Sequence, residues 1–472
     1  MEAYDGLYIG GRWRPAADSA RTEVVNPANE QVIATVAVAG PADVDAAVAA
    51  AREALPGWAA TPPAERAARL TALRDALAAR QDEIAATVTA ELGTPVRYAA
   101  AIHVRTPVAV AGHYARIVTE YPFEERVGHS RVLYRPVGVV GAITPWNYPL
   151  HQIVAKVAPA LAAGCTVVLK PAETTPLVAR LFAEAVDAAG IPDGVVNVVV
   201  GLGPVAGRAL AEHSGVDMLS FTGSTAVGRQ VGALAGQQVK PVALELGGKS
   251  ANVVLPGADL ARAVRAGVNS VMTNAGQTCS AWTRMLVHRD HLEEALELAT
   301  AAVARYAPGD PTDPGTWLGP VANAAQYRRV TGYVRRGLEE GARLVVGGPE
   351  RPEGLDRGYY VRPTVLADVT PDMTVAREEI FGPVLCVLTY RDVEEALRIA
   401  NDSDYGLAGA VWAADEEEAV AFASRMETGQ VDINGAGFNP LAPFGGWKQS
   451  GVGRELGRHG LAEYLQTTSL QL

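Results

Sequence analysis

Apolar positions recur at helical spacing through the alanine-rich stretch 41–118. Val44, Val48 and Leu55 mark the pattern first, then Leu70, Leu73 and Leu77. Pro62-Pro63 interrupts the run, so the pattern predicts two or three helices. Residues 120–137 change character: Arg131–Arg135 is a short β-prone run between polar segments. From 137 to 245, apolar runs alternate with helical patterns. The strands are expected at Val137–Ile143, Thr166–Leu169, Val195–Val199 and Met218–Phe221, with helices at Ala179–Ala189 and Pro204–Ala211 between them. That alternation predicts a parallel, doubly wound α/β sheet. A second alternating region runs from about 248 to 445, with strands at Asn252–Leu255, Arg284–Val287, Val384–Leu388 and Ala410–Trp412. The tail from Tyr464 to Leu472 is strand-like. As an isolated strand it is an edge in need of a partner.

At 472 residues the chain is long enough for about three domains. A hydrophobic content of 49% and a charged content of 20% fit a globular enzyme. The net charge of −11 argues against nucleic acid and anionic membranes as partners. No apolar run approaches the roughly 20 residues of a membrane span, and the acidic start Met-Glu-Ala-Tyr-Asp has no signal-peptide core. Three cysteines with no CxxC predict neither a disulfide framework nor a metal site, and they fit a reducing cytoplasm. Cys165 and Cys386 lie in apolar runs and read as buried fillers. Only five of the 41 basic residues are lysine, and Lys156, Lys170, Lys240, Lys249 and Lys448 all fall in or near the motifs below.

Those motifs carry the chemistry. Cys279 sits in Gly276-Gln277-Thr278-Cys279-Ser280 and Glu245 in Glu245-Leu246-Gly247-Gly248-Lys249. A thiolate nucleophile and a carboxylate base, given a hydride acceptor, convert an aldehyde to an acid. The chain also contains Pro145-Trp146-Asn147-Tyr148-Pro149, Lys170-Pro171-Ala172-Glu173, Phe221-Thr222-Gly223-Ser224-Thr225, Glu379-Ile380-Phe381-Gly382-Pro383 and Pro443-Phe444-Gly445-Gly446. Gly201-Leu202-Gly203-Pro204 follows an expected strand but only approximates a GxGxxG fingerprint. Phe221-Thr222-Gly223-Ser224 ends a strand and opens a helix, where free N–H groups suit a pyrophosphate. It is no P-loop, because Arg229 follows Gly228.

In this order, from about residue 7 to the C-terminus, the motifs resemble the NAD(P)-dependent aldehyde dehydrogenase superfamily, of the hydrolytic rather than acylating type. The resemblance implies two doubly wound domains and a small β oligomerisation arm. Residues 1–118 and 138–247 would form the dinucleotide domain, 248–445 the catalytic domain, and 119–137 with 446–472 the arm and tail. It implies Cys279 as nucleophile with a lowered pKa, Glu245 as general base, Asn147 as oxyanion donor, and Lys156 with Glu455 as a proton relay. NAD is the implied cofactor, held by Thr144, Trp146, Lys170, Glu173, Gly203, Gly223, Ser224, Glu379 and Phe381. Glu173 would accept from the adenosine ribose hydroxyls and repel a 2′-phosphate. Tyr148, His151, Gln152, Thr278, Ser280, Phe438 and Phe444 would line the substrate tunnel. No arginine falls among these seven, which disfavours a substrate with a distal carboxylate. An aliphatic or aromatic aldehyde fits better, with a betaine-type or other amino aldehyde as the alternative. A homodimer or homotetramer is implied. Two further classes stay open: a thiol esterase, and a non-catalytic structural protein of the same fold.

Overall fold

The computed structural model describes residues 2–472. Its first large sheet has eight strands. In spatial order they are Gly451–Val452, Val242–Glu245, Met218–Thr222, Val139–Ile143, Thr166–Lys170, Val196–Val198, Gly6–Ile9 and Arg12–Pro15. The five from Val242–Glu245 to Val196–Val198 are mutually parallel, and the outer strands join antiparallel. The parallel strands are almost wholly buried because helices cover both faces. Pro149–Ala163 and Pro176–Ala188 cover one face and pack into one apolar cluster with Phe182, Leu161 and Leu73.

The second sheet has seven strands. The order is Arg343–Val346, Thr364–Ala367, Val384–Tyr390, Arg284–His288, Ala251–Val254, Ala408–Trp412 and Gln430–Ile433. All but Arg343–Val346 run parallel. The expected strands in both regions are present within a residue or two of their sequence bounds.

Four features differ from the sequence expectation. Residues 41–118 hold more than three helices: Pro41–Ala60, Pro63–Ala79, Gln81–Leu92, a wide π-type turn at Ala99–Arg105, and Thr106–Glu120. Pro63 opens the second of these at its first turn, where its missing N–H costs nothing. The expected helix Pro204–Ala211 begins as a π-type turn, Gly203–Gly207, before Arg208–Glu212. The tail is not a lone edge. Leu465–Gln471 pairs antiparallel with Ser130–Pro136 over seven residues, and Glu124–Val127 completes a three-stranded arm. Finally, residues 446–472 do not act as one piece. Gly451–Val452 adds to the first sheet, and Tyr464, at 2% exposure, packs into that sheet's core.

Candidate active site

The cysteine loop is shaped by unusual backbone. Helix Leu260–Met272 ends, and Asn274, Ala275 and Gly276 follow with φ of 54°, 54° and 71°. Left-handed conformation costs a residue with a side chain roughly 1–2 kcal/mol, so neighbours must hold it. Asn274 Nδ2 donates to the Asn147 carbonyl at 2.8 Å, and Thr94 Oγ1 donates to Asn274 Oδ1 at 3.1 Å. Gln277 Nε2 donates to the Asn274 carbonyl at 3.1 Å, while its Oε1 accepts from Ala322 N at 2.8 Å. Gly276 is required, since a β-carbon there would lie 2.1 Å from the Gly382 backbone. Asn147, 3% exposed, donates Nδ2 to the Gln277 carbonyl at 3.0 Å. That bond uses one of its two amide protons.

Cys279 lines a cavity of about 320 Å³ with Trp146, Asn147, Gly247, Glu379 and Phe381. Its thiol is pushed up to about 12, first by burial and then by the negative fields of Glu379 and Glu245. The expectation of a lowered thiol pKa is therefore not met. The backbone N–H groups that pull it down are outweighed by burial and two nearby carboxylates. Glu379 accepts from Gly248 N at 3.1 Å, and burial raises its carboxyl to about 7. Gly247 and Gly248 permit these approaches: β-carbons there would lie 2.5 Å from Glu379 Oε2 and from the Cys279 carbonyl oxygen.

Glu245 ends the strand Val242–Glu245 at 3% exposure, and neither carboxylate oxygen receives a hydrogen bond. Burial pushes its carboxyl well above the usual range, the nearby Glu455 adds to this, and Lys156 and Arg454 oppose it. Lys156 and Glu455 form a buried ion pair. Gly445 leaves room for Glu245, since a β-carbon there would meet Oε1 at 2.6 Å.

A cleft of about 660 Å³ lies at the C-terminal ends of the parallel strands, where open α/β sheets bind ligands. Thr144, Lys170, Glu173, Gly203, Gly223 and Ser224 all line it. Pro145, Thr222, Gly223 and Ser224 line both cavities, so the two adjoin. Lys170 Nζ donates to Glu173 at 3.2 Å. Ser224 caps helix Thr225–Gln237, turning free N–H groups toward the cleft. Trp146 and Phe381 meet edge to face, with ring centroids 5.5 Å apart.

Four of the seven tunnel candidates form two pairs. Tyr148 and Thr278 share a hydrogen bond of 2.6 Å, and the Phe438 and Phe444 rings meet at 6.4 Å. Ser280 adjoins Cys279. His151 and Gln152 lie on helix Pro149–Ala163, where burial holds the His151 imidazole below its usual pKa.

Several site residues escaped the sequence. Gln326 and Arg329 line the cysteine cavity from helix Ala324–Glu339. Their spacing of three puts them on one helix face, but the surrounding polar residues hide the signal. His103, on the π-type turn, stacks on Tyr148 at 4.8 Å and is held neutral by burial, its pKa lowered to about 3. Ser450 Oγ donates to the Gly247 carbonyl at 2.7 Å and accepts from Gly406 N at 2.9 Å, tying the glycine pair in place. Among the described residues no cluster of His, Cys, Asp and Glu could hold a metal ion, and no helix is long and apolar enough to cross a membrane.

Two sheets of mostly parallel strands, a cleft at the strand ends of the first and an adjoining cavity lined by a cysteine describe the architecture of a dehydrogenase. The aldehyde dehydrogenase family model matches residues 13–470, and the chain belongs to that family. It is 47% identical to a 3-succinoylsemialdehyde-pyridine dehydrogenase from a Pseudomonas species, over 99% of this chain and 98% of the relative. Among solved structures, aldehyde dehydrogenase C of Pseudomonas syringae, a cysteine-to-alanine variant complexed with NAD⁺ and octanal, superposes with a TM-score of 0.98. It is 47% identical, over 99% of this chain and 96% of that one. A Mycobacterium tuberculosis aldehyde dehydrogenase complexed with NAD⁺ gives 0.97 at 45% identity, over 100% and 99% of the two chains.

Proposed function

We propose that the protein oxidises an aldehyde to its carboxylate with NAD as hydride acceptor. The observation that carries this reading is the adjacency of the two cavities, which share four lining residues. One lies at the strand ends beside Lys170 and Glu173, and the other is lined by Glu379, Phe381 and Cys279. NAD fits the residues present. Glu173 and Lys170 would hold the adenosine ribose, the cap of helix Thr225–Gln237 would meet the pyrophosphate, and Glu379 would hold the second ribose. When bound, NAD supplies the site that takes the hydride.

The chain's own residues do the rest. Cys279, its thiol proton given up to solvent, attacks the aldehyde carbon through Sγ to give a thiohemiacetal alkoxide. The second amide proton of Asn147 and the Cys279 N–H hold the developing oxyanion. Loss of hydride leaves a thioester on Sγ. Glu245, once ionised, takes a proton from water, which attacks the thioester and releases the carboxylate and the thiol. The Lys156–Glu455 pair would pass that proton on. An absorbance trace of NADH production across a panel of aldehydes tests the reading, and ester turnover without NAD tests the esterase alternative.

The substrate reading is an apolar aliphatic or aromatic aldehyde. It is supported by the Phe438–Phe444 pair, by the absence of arginine among the seven wall candidates, and by the octanal bound to the P. syringae enzyme. Residues 1–118 with 138–247 serve as the cofactor unit and 248–445 as the catalytic unit. The arm at 119–137, with the last strand, serves oligomerisation into a dimer or tetramer. Three unpaired cysteines fit the cytoplasm.

A further inference from the structure

We propose that the groove between the first helices and the arm binds a small oxyanion, a phosphate or a carboxylate, with Arg66 as its buried cation. Arg66 stands in the first turn of helix Pro63–Ala79 and is 5% exposed. It forms no ion pair with any described carboxylate, and its Nε is sealed from solvent without an acceptor. The guanidinium lies over the Phe123 ring at 5.0 Å and against Gly164, where a β-carbon would come within 2.4 Å of Nη1. Gly164 has φ of 93° and caps the C-terminus of helix Pro149–Ala163. The ring face and the negative end of that helix each offset part of the charge. Neither is a counter-ion, and a buried charge without one is costly, so buried charges are as a rule paired.

The groove supplies the rest of a site. Arg66 lines a cavity of about 880 Å³ that also holds Arg135, which is exposed and without a carboxylate partner. Asp217 is the one carboxylate among the lining residues, and it is already engaged by Arg52 at 2.6 Å and by Val139 N at 2.7 Å. Gln466 and Thr468 of the tail strand bring polar side chains to the same wall. Two guanidinium groups with unused donors in one cavity suit the planar or tetrahedral oxygens of an oxyanion. The groove lies at the start of strand Val139–Ile143, whereas the cofactor cleft lies at its end. The ligand is therefore separate from NAD, and it would brace the arm and tail against the first helices.

Thermal unfolding of the full chain with NAD at saturation tests this, with sodium phosphate and sodium acetate each titrated against sodium chloride at fixed ionic strength. Saturating NAD blocks the pyrophosphate site, and a salting effect would rise without saturation. The expected result is a saturable rise in the midpoint with at least one oxyanion. Arg66→Gln should weaken it at least tenfold. Arg135→Gln, at an exposed position where folding is not at risk, should weaken it severalfold and decides the matter if Arg66→Gln does not fold. Identical oxyanion and chloride curves overturn the proposal, as does an undiminished effect in Arg135→Gln. Sedimentation is run in parallel. If phosphate dissociates the protein instead of raising the midpoint, a carboxylate of a second copy occupies the groove, and the proposal falls.

Discussion

The side-chain amide of Asn147 donates to the main-chain carbonyl of Gln277 at 3.0 Å, two residues before Cys279. The same residue's carbonyl accepts from Asn274 at 2.8 Å. Asn147 is thus both a candidate oxyanion donor and a brace for the cysteine loop. Asn147→Ala should lower kcat by about 10²–10³, the roughly 2.7–4 kcal/mol worth of one oxyanion donor. NAD binding, followed by quenching of protein fluorescence, should stay within about twofold. A variant retaining most of its kcat would remove Asn147 from the chemistry.

Cys279→Ala should abolish NADH production, while Cys165→Ala and Cys386→Ala, at fully buried positions, should change only stability. In the free enzyme the thiol lies far above neutrality, so alkylation of Cys279 by iodoacetamide should be slow at pH 7.5 and accelerate with rising pH beyond 9. Glu379→Gln removes one of the two fields that raise the thiol and should shift the profile to lower pH. A profile that stays in place in this variant would show that Glu379 does not raise the thiol.

Glu245→Gln should give a burst of NADH near one per site and then stall. Hydride leaves before the hydrolytic water has to be activated. Burial raises the Glu245 carboxyl, so its ionised fraction grows with pH. Steady turnover limited by hydrolysis should therefore rise with pH in the unmodified enzyme and lose that limb in the variant. Steady turnover by Glu245→Gln would mean that another group activates the water.

Glu173→Ser should relax the discrimination between NAD and NADP. The carboxylate is 37% exposed and paired with Lys170, so its repulsion of a 2′-phosphate is partly screened and on the order of 1 kcal/mol. The ratio of the two kcat/KM values should fall severalfold. Equal efficiencies in the unmodified enzyme would refute the assignment.

Removing residues from Leu465 onward should cost assembly before chemistry. The deletion strips seven paired positions from Ser130–Pro136 and leaves a two-stranded ribbon with a bare edge. Sedimentation should show smaller species or aggregates, and an unchanged profile would exclude the tail from the interface.

The strand ends carrying Glu245, Lys170 and Ser224 were readable because continuous apolar runs mark parallel strands and their ends carry the motifs. The first 37 residues were not. Glu2–Tyr4, Gly6–Ile9 and Arg12–Pro15 are short, and Arg12–Pro15 is exposed along its whole length, so no apolar period announces it. The left-handed turn before Cys279 was hidden because Asn274 and Ala275 hold it against their own preference through contacts to Thr94 and Asn147, far away in sequence. The raised thiol was missed for a related reason. Loop context argues for a reactive cysteine, but only the folded chain shows two carboxylates beside it. The tail's strand character was clear, yet its partner 130–136 lies more than 300 residues upstream, beyond any local pattern.

The return of residues 451–464 to the first sheet sets the order in which this chain can be built. Val452 pairs with Leu244, the Tyr464 hydroxyl reaches Ser220 at 3.2 Å, and the Tyr464 carbonyl meets the Cys165 thiol at 3.4 Å. All three contacts join residues more than 200 positions apart, so the first half emerges during synthesis with the Val242–Glu245 edge bare and a hole where the Tyr464 ring belongs. It must wait for the second half before it closes, and long-range closure of this kind is slow. A fragment cut near residue 247 therefore carries the cofactor cleft's residues but not its own lid of sheet and core. Residues 1–247 are thus a region of the finished molecule whose sheet edge and core are completed from the other half.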